Sequence, residues 1–535
     1  MSQTATRRRR DVAYADTRPL TGTNSVAFAL SFLLIIGCVT DVQGVALLPL
    51  LGKMAEALHL SSAEVSWALN SSSVATAVMV GLSARSADIF GHRRVVIPMV
   101  ALGVVGSVLC ALAPSFGVLL VGRVIIGLCV CAPMSWAMLK IRADNKGLER
   151  AALWNGTLIS IMTPLGLILG GLLLSWGASW SSYFWIVAFG YLVLLIEAIL
   201  MPETPVKDRI RVPLDWVGSL GLGAWLVCLL LALSFGESWG WDSGTIIGLF
   251  VAAAVILVLW IMQQRRFPYP LMDFRGMDLR QVIAGYSVYC TVAMTASGLY
   301  ILEPGLAETP SIAGYGFGAS VLKASAALLP ILPAAFIAAF ISKPMLAKMG
   351  PRPPIAVGGL LCVIAFAMMA FAHGSLWIFY IEIFIYGIGI IMAFNVGWAL
   401  TSAAGRQDNM STTFGIQYAM AIPAAAVVTA VIIATEGANV KPLAAVAGVY
   451  VPKEGVYVAM FLLMAVISLL GYVINGLFIV PKNLRYQNVR LADLVAAEDA
   501  VEEGIPAIPH FHHDAESTTA EPGLAGPAVA PDDLI

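Results

Sequence analysis

The sequence predicts an all-α polytopic membrane protein, and three observations carry that prediction. Hydrophobic residues make up 59% of the chain and charged residues only 12%, where a soluble domain carries roughly a quarter of its residues as charges. The mean hydropathy of +0.85 agrees. Apolar runs of spanning length recur from residue 26 to residue 480, and Lys and Arg collect in alternate loops between them.

Taken in order, residues 1–25 form a basic tail holding Arg7 to Arg10. The run that follows is long and lacks a small-residue cleavage site, so it reads as an uncleaved first span. A helical span needs roughly 20 apolar residues. By that measure spans lie near 26–48, 65–84, 95–113, 116–139, 151–176, 183–201, 216–235, 244–262, 281–302, 318–342, 355–373, 376–403, 412–435 and 456–480, fourteen in all. Arg93 and Arg94, then Lys140, Arg142, Lys146 and Arg150, then Lys207, Arg209 and Arg211, then Arg265, Arg266, Arg275 and Arg280 occupy alternate loops, and Lys343, Lys348, Arg352 and Arg406 continue the series. The opposite loops hold Lys53, Lys441 and Lys453. The bias places both termini in the cytoplasm of a cell whose plasma membrane holds the chain. The outer loop 436–454 is long enough to fold over the external mouth. Beyond Asn488 the tail is rich in Glu, Ala, Pro and Asp without a periodic apolar face, the composition of a disordered segment. His510, His512 and His513 in that tail make no metal site on their own.

Several function classes drop out. A net charge of -1 argues against nucleic acid as a partner. The seven cysteines, Cys38, Cys110, Cys129, Cys131, Cys228, Cys290 and Cys362, all lie in apolar runs, where they pack as small hydrophobes and suggest neither disulfides nor a metal. There is no GxxxxGK[ST] phosphate loop and no HExxH, so neither an enzyme nor a cofactor is expected. Uphill movement of a solute would then draw on an ion gradient or a partner subunit.

Charges inside apolar runs are costly and mark ion or substrate pathways. Asp41 is eight residues from Pro49 and Arg123 seven from Phe116, so at ~1.5 Å rise per residue both sit roughly 10–12 Å in from the outer surface. They share a depth and could pair. Glu382 lies in the outer half of its own span. Lys323 and Glu303 near the outer boundary suit interfacial water, and Glu197 suits a snorkelling role.

At this point motifs add a resemblance. The loop Ala84-Arg-Ser-Ala-Asp88-Ile-Phe-Gly91-His92-Arg93-Arg94 resembles the signature loop of the major facilitator superfamily, Arg123-Val-Ile-Ile-Gly127 resembles its Arg-x-x-x-Gly motif, and Met201-Pro-Glu203-Thr-Pro205 its exit from the sixth span. Leu214-Asp215-Trp216-Val-Gly218, Trp239-Gly240-Trp241 and Arg265-Arg266-Phe-Pro-Tyr-Pro270-Leu-Met-Asp273 resemble the stretch around the two extra spans of the fourteen-span drug:proton antiporters. The matches cover roughly residues 26–480. Departures are Ala84 and Ser86 in place of Gly and Leu, and Gly166-Leu167-Ile-Leu-Gly170-Gly171 with Pro164 displaced upstream of the usual fifth-span motif. The first span keeps Ala46 and Pro49 but lacks the family's Thr and Asn.

The resemblance implies a major facilitator fold: a six-helix bundle over 26–201, two extra spans within 202–280, a second bundle over 281–480 and a cytoplasmic tail over 481–535. It implies that the first, fourth, ninth and twelfth spans line the central cavity. Burial favours the protonated form of a carboxylate there and a nearby guanidinium favours the ionised form, so such a site suits proton coupling. The expected coupling set is Asp41 tuned by Arg123, with Glu382 assisting or contacting cationic substrate; the alternative is a structural ion pair. Asp88, Gly91, Arg93 and Arg94 are expected to form a gating loop, and Gly127, Gly166, Gly170 and Gly171 structural motifs. Candidate cavity residues are Asn70, Trp136, Asn155, Tyr286, Tyr289, Tyr386, Asn395, Trp398 and Gln417, a lining suited to a small amphipathic organic molecule. The expected activity is proton-coupled export by a lipid-embedded monomer. Import of a small metabolite, favoured by the displaced Pro, and a non-transporting receptor remain as rivals.

Overall fold

The computed structural model describes residues 22, 25–60, 62–140, 142–143, 145–202, 215–268, 270–271, 278–372, 375–405, 410–442 and 450–484. The basic tail, the 203–205 stretch, Arg275, Arg406, residues 443–449 of the 436–454 loop and the tail with its histidines lie outside them. The described chain is helical apart from a two-stranded antiparallel hairpin, β1 (Val440–Pro442) on β2 (Tyr450–Pro452), with Lys441 opposite Val451.

Among the described residues, twelve helices are long and apolar enough to cross a membrane. α1 (Val26–Val45) runs through a short 3-10 turn at Leu48–Leu50 into α2 (Leu51–Leu58). α3 (Ser62–Phe90) turns at Gly91 into α4 (His92–Ala111). The fourth span is two helices, α5 (Phe116–Gly127) and α6 (Ala132–Lys140), because Pro133 has no N–H to continue the ladder. α7 (Asn145–Ser175) and α8 (Ser181–Leu200) complete the first bundle, and α9 (Trp216–Trp239) and α10 (Gly244–Arg266) form the inserted pair. The second bundle comprises α11 (Leu279–Glu308), α12 (Val321–Ala327) and α13 (Ile331–Met349), divided near Pro330, then α14 (Arg352–Phe371), α15 (Leu376–Ala404), α16 (Met410–Ala438) and α17 (Glu454–Ser468), which continues as a π-helix over Leu469–Ile479. We call the end holding the α3–α4 turn the basic face and the end holding the β hairpin the far face.

α3 and α7 are not among the twelve. They are 29 and 31 residues long but carry polar stretches, Asn70 to Ser73 and Ser83 to Asp88 in α3 and Asn145 to Arg150 in α7. Both pack inside the bundle, α3 against α5, α9 and α16, and α7 against α1, α13 and α15. Protein neighbours can accommodate polar groups that lipid would not.

The core of the first bundle gathers Phe32, Ile36, Leu50, Val100, Tyr183 and Tyr191. A larger core joins the second bundle to Ala29, Leu33, Trp136 and Leu167 of the first, so the two halves share packed surface. The inserted pair is anchored at one end: Asp215 caps α9 by accepting from Gly218 N at 2.7 Å and also accepts from Gln263 and Gln264 of α10 at 3.0 and 2.7 Å. Leu222, Leu226 and Leu230 of α9 pack with Ala77 and Val80 of α3 and Ala419 of α16. α9 thus lies along the seam between the halves.

Candidate functional site

Asp41, on the last full turns of α1, accepts a hydrogen bond at Oδ2 from Thr163 Oγ1 of α7 at 3.2 Å. Tyr300 of α11 lies near the same Thr163, and Tyr289 and Tyr418 of α11 and α16, whose ring centroids are 5.9 Å apart, lie within electrostatic reach of Asp41. Asp41, Tyr289, Tyr300 and Tyr418 are all only partly buried, although their helices carry fully buried residues on either side. The four therefore form a partly accessible group contributed by α1 of one half and by α11 and α16 of the other. Close approach of α1 to α7 depends on Gly170, where a Cβ would overlap the Ala46 carbonyl and press on Pro49. Gly166 faces Val42 and Val45 of α1, and Gly171 faces Leu322 of α12.

Arg123 is elsewhere. It is buried at 2% exposure and its Nε and Nη2 donate to the carbonyls of Ala68 and Leu69 on α3, at 2.8 and 2.9 Å. The pairing with Asp41 expected from their common depth is not formed; depth fixes a residue's height in the bundle but not the direction it faces. Gly127, one turn beyond Arg123, presses on Ser72 of α3, and its carbonyl accepts from Thr76 Oγ1 at 2.9 Å. The Arg-x-x-x-Gly segment therefore fastens α5 to α3.

Glu382 is fully buried and neither carboxylate oxygen has a partner. Glu303 is likewise fully buried with both oxygens unpartnered, which corrects its placement at interfacial water. Lys323 is exposed, as expected. Glu197 does not only snorkel: its Oε1 accepts from Ser31 Oγ of α1 at 3.0 Å.

Toward the basic face this group is followed by a floor of rings. Trp136 of α6 stacks on Trp398 of α15 with centroids 4.8 Å apart and planes 17° apart. Phe414 of α16 lies 5.0 Å from the first and 4.7 Å from the second, and Tyr289 meets Trp398 edge-on at 5.4 Å. Asn395 and Gln417 lie three residues from Trp398 and Phe414, one turn nearer the far face on antiparallel helices. Their amide atoms, the Trp398 Nε1 and the Asn155 Nδ2 are buried without partners. Native interiors rarely leave so many polar atoms unsatisfied, and here they collect above one aromatic floor. Tyr286 lies lower, its hydroxyl bonded to the Thr413 carbonyl at 2.7 Å; Tyr386 packs on Phe366 at 5.1 Å; Asn70 is partly buried on α3.

Below the rings the halves are latched. Asp88 Oδ2 accepts from Thr412 N at 3.0 Å and Thr412 Oγ1 at 2.7 Å, and Asp88 Oδ1 lies 3.5 Å from His92 Nε2, itself 3.1 Å from Ser411 Oγ. Asp88 thus caps the first turn of α16, where a negative charge is favourable. Gly91 makes the turn that presents it, at φ 103°, a conformation side chains resist. Arg93 Nη2 donates to Ile199 O of α8 at 2.6 Å, and Arg94 is exposed. Lys140 Nζ donates to Ser402 O at 3.0 Å and also to Gly405 O. Sequence reading named neither Thr163, Tyr300 and Tyr418 nor Lys140, His92 and Thr412 as site residues; their side-chain types are common in spans and loops, and only tertiary placement singles them out.

A helical membrane protein of two packed bundles with an inserted helix pair has the major facilitator fold. Solved structures agree: the human organic anion transporter MFSD10 (TETRAN) aligns at a TM-score of 0.57 with 15% identity over 84% of this chain and 99% of that one. The proton:xylose symporter XylE bound to 6-bromo-6-deoxy-D-glucose aligns at 0.60 with 12% identity over 87% and 98%. The Major Facilitator Superfamily model matches residues 33–215. Among curated relatives, the multidrug resistance protein Stp of Mycobacterium tuberculosis is 30% identical over 321 residues, 57% of this chain and 56% of Stp. The tetracenomycin C resistance and export protein of Streptomyces glaucescens is 26% identical over 308 residues, 57% of this chain and 56% of the relative. The drug efflux pump JefA of M. tuberculosis is 30% identical over 224 residues, 41% and 43%. The chain spans about half the length of the curated relatives it matches. It is a multi-pass membrane protein with the major facilitator fold, similar to the Major Facilitator Superfamily over residues 33–215.

Proposed function

We propose that the chain is a transporter, not an enzyme, that exports small amphipathic organic compounds in exchange for protons by alternating access, with Asp41 as the coupling carboxylate. The observation that carries this is Asp41 itself: a partly accessible carboxylate within a span, held by one hydroxyl and bordered by three tyrosines where the halves meet. Protonation removes its charge and the reason for the Thr163 hydroxyl to point at it, so the proton bears on contacts between α1, α7 and α11. Glu382 is a further carboxyl on the opposing half. Arg123 acts in this scheme by fastening α5 to α3 rather than by tuning Asp41. The Asp88 latch and the Lys140 contacts close the basic face in this conformation, and their release opens it. The unsatisfied amides above the aromatic floor, together with the rings, suit substrates that are apolar with a few polar groups, as do the names of the efflux relatives. We further infer fourteen spans and the fourteen-span antiporter subfamily: α3 and α7 each carry the chain from one face to the other, and without them the alternation of basic loops fails. On that alternation both termini lie in the cytoplasm of a bacterial cell.

Direction is tested in inverted membrane vesicles energised to acidify their lumen. With ethidium and tetraphenylphosphonium as probes, export predicts accumulation inside that an uncoupler abolishes. Absence of uptake for every probe of a broad amphipathic panel, with uptake of a small polar metabolite in right-side-out vesicles, contradicts it in favour of import.

A further inference from the structure

We infer that Glu303 is a second proton-binding site, on the second bundle, and that it holds its proton in the conformation described. Its role in coupling rests on the proton-antiport reading; its protonation does not. Glu303 is fully buried and neither oxygen meets a donor. It follows Tyr300 by three residues on α11, so it lies on the same side of the helix, ~4.5 Å nearer the far face. Tyr300 in turn neighbours Thr163, the donor to Asp41. Glu303 is thus one helical turn from the Asp41–Thr163–Tyr300 group.

Among the described residues, the charged and titratable groups around this stretch offer no counter-charge. On α11 itself Glu308 acts on Glu303 as a like charge. The elements packed against α11 carry Lys323 on α12, Glu382 and Tyr386 on α15, Glu436 on α16, and Tyr457 and Glu454 on α17. Lys323 is exposed, and Lys441 is engaged with the Ala313 carbonyl at 2.9 Å and the Tyr315 ring at 4.8 Å. An ionised carboxylate buried with neither a cation nor a donor is far costlier than the neutral acid. The group therefore takes up a proton on one oxygen, forming an O–H bond with no other chemistry, and gives it back when water or a cation reaches it. A carboxyl that must stay neutral while enclosed, and can ionise only when opened, links its proton to the conformational cycle.

The test needs no substrate. Infrared spectra of the full-length protein in lipid nanodiscs at neutral pH report the C=O stretch of protonated carboxyls. The parent minus Glu303→Gln difference is expected to show loss of one such band, Glu303→Asp to move that band, and Glu308→Gln to keep it. Superposable parent and Glu303→Gln spectra in this region from acid to alkaline pH overturn the inference. If Glu303→Gln does not fold, an unmoved band in Glu303→Asp overturns it equally. Loss of antiport in the vesicle assay would leave these spectra unchanged, so the two readings fail separately.

Discussion

Asp88→Asn isolates the latch between the halves. Its side chain is 3% exposed and one oxygen accepts two hydrogen bonds from Thr412, at 3.0 and 2.7 Å. Hydrogen bonds to a charged group contribute about 1.5–3 kcal/mol and neutral ones about 1 kcal/mol. The amide retains one acceptor oxygen, so the loss over two bonds is on the order of 2 kcal/mol, with about 0.3–1 kcal/mol more from the charge at the α16 terminus. These contacts exist only while the turn is docked, so ~2 kcal/mol lowers the docked-to-undocked ratio about 30-fold. Hydrogen–deuterium exchange of the peptide covering Met410 to Ile416 reads this directly, because the Thr412 amide is one of the donors. Exchange there is expected to rise about 30-fold in Asp88→Asn, and by about 10-fold in Thr412→Val, which removes one hydroxyl donor to the carboxylate, a bond of about 1.5 kcal/mol. Unchanged exchange in Asp88→Asn, with the remaining helices as protected as in the parent, would refute the reasoning.

Three further outcomes follow from the packing. Gly170→Leu places a side chain against the Ala46 carbonyl and Pro49; it is expected to destabilise by about 3 kcal/mol or more and to lower the melting temperature in nanodiscs, whereas Gly117→Leu, at a site with open space, should not. Arg123→Lys keeps the charge but loses the planar fork that spans the Ala68 and Leu69 carbonyls; reduced thermal stability with no change in the pH dependence of transport is expected, and a shifted pH profile would instead tie Arg123 to the proton site. Asp215→Ala removes the α9 cap and the acceptor for Gln263 and Gln264, a loss of about 1–3 kcal/mol; limited proteolysis between α10 and α11 should accelerate while transport by the intact protein persists.

Much of the architecture was legible because spanning runs need length and apolarity, both of which are printed in the sequence. The breaks were not: Leu128 to Cys131 and Leu328 to Pro330 are as apolar as the helices they divide, and only Pro133 and Pro330 hint at the interruption. α3 and α7 were legible as apolar runs near 65–84 and 151–176, although each carries polar stretches that face protein. For the site, Asp41 could be singled out as a charge in an apolar run, and the aromatic and amide residues Trp136, Trp398, Asn395 and Gln417 do gather around one floor. Partner choice could not be read. Asp41 and Arg123 share a height yet face different helices, and Glu303 looked like a boundary residue because α11 extends to Glu308, beyond the apolar run that suggested its end. Hydropathy reports height along the bundle, whereas pairing depends on rotation about each helix axis.

The most direct test of the coupling role of Asp41 is proton movement in proteoliposomes on addition of amphipathic cations and antibiotics, with Asp41→Asn measured beside the parent. The parent should release protons in response to at least one compound, and the variant should bind that compound without moving protons. Equal proton release by parent and variant, or none from the parent across the panel, would contradict it.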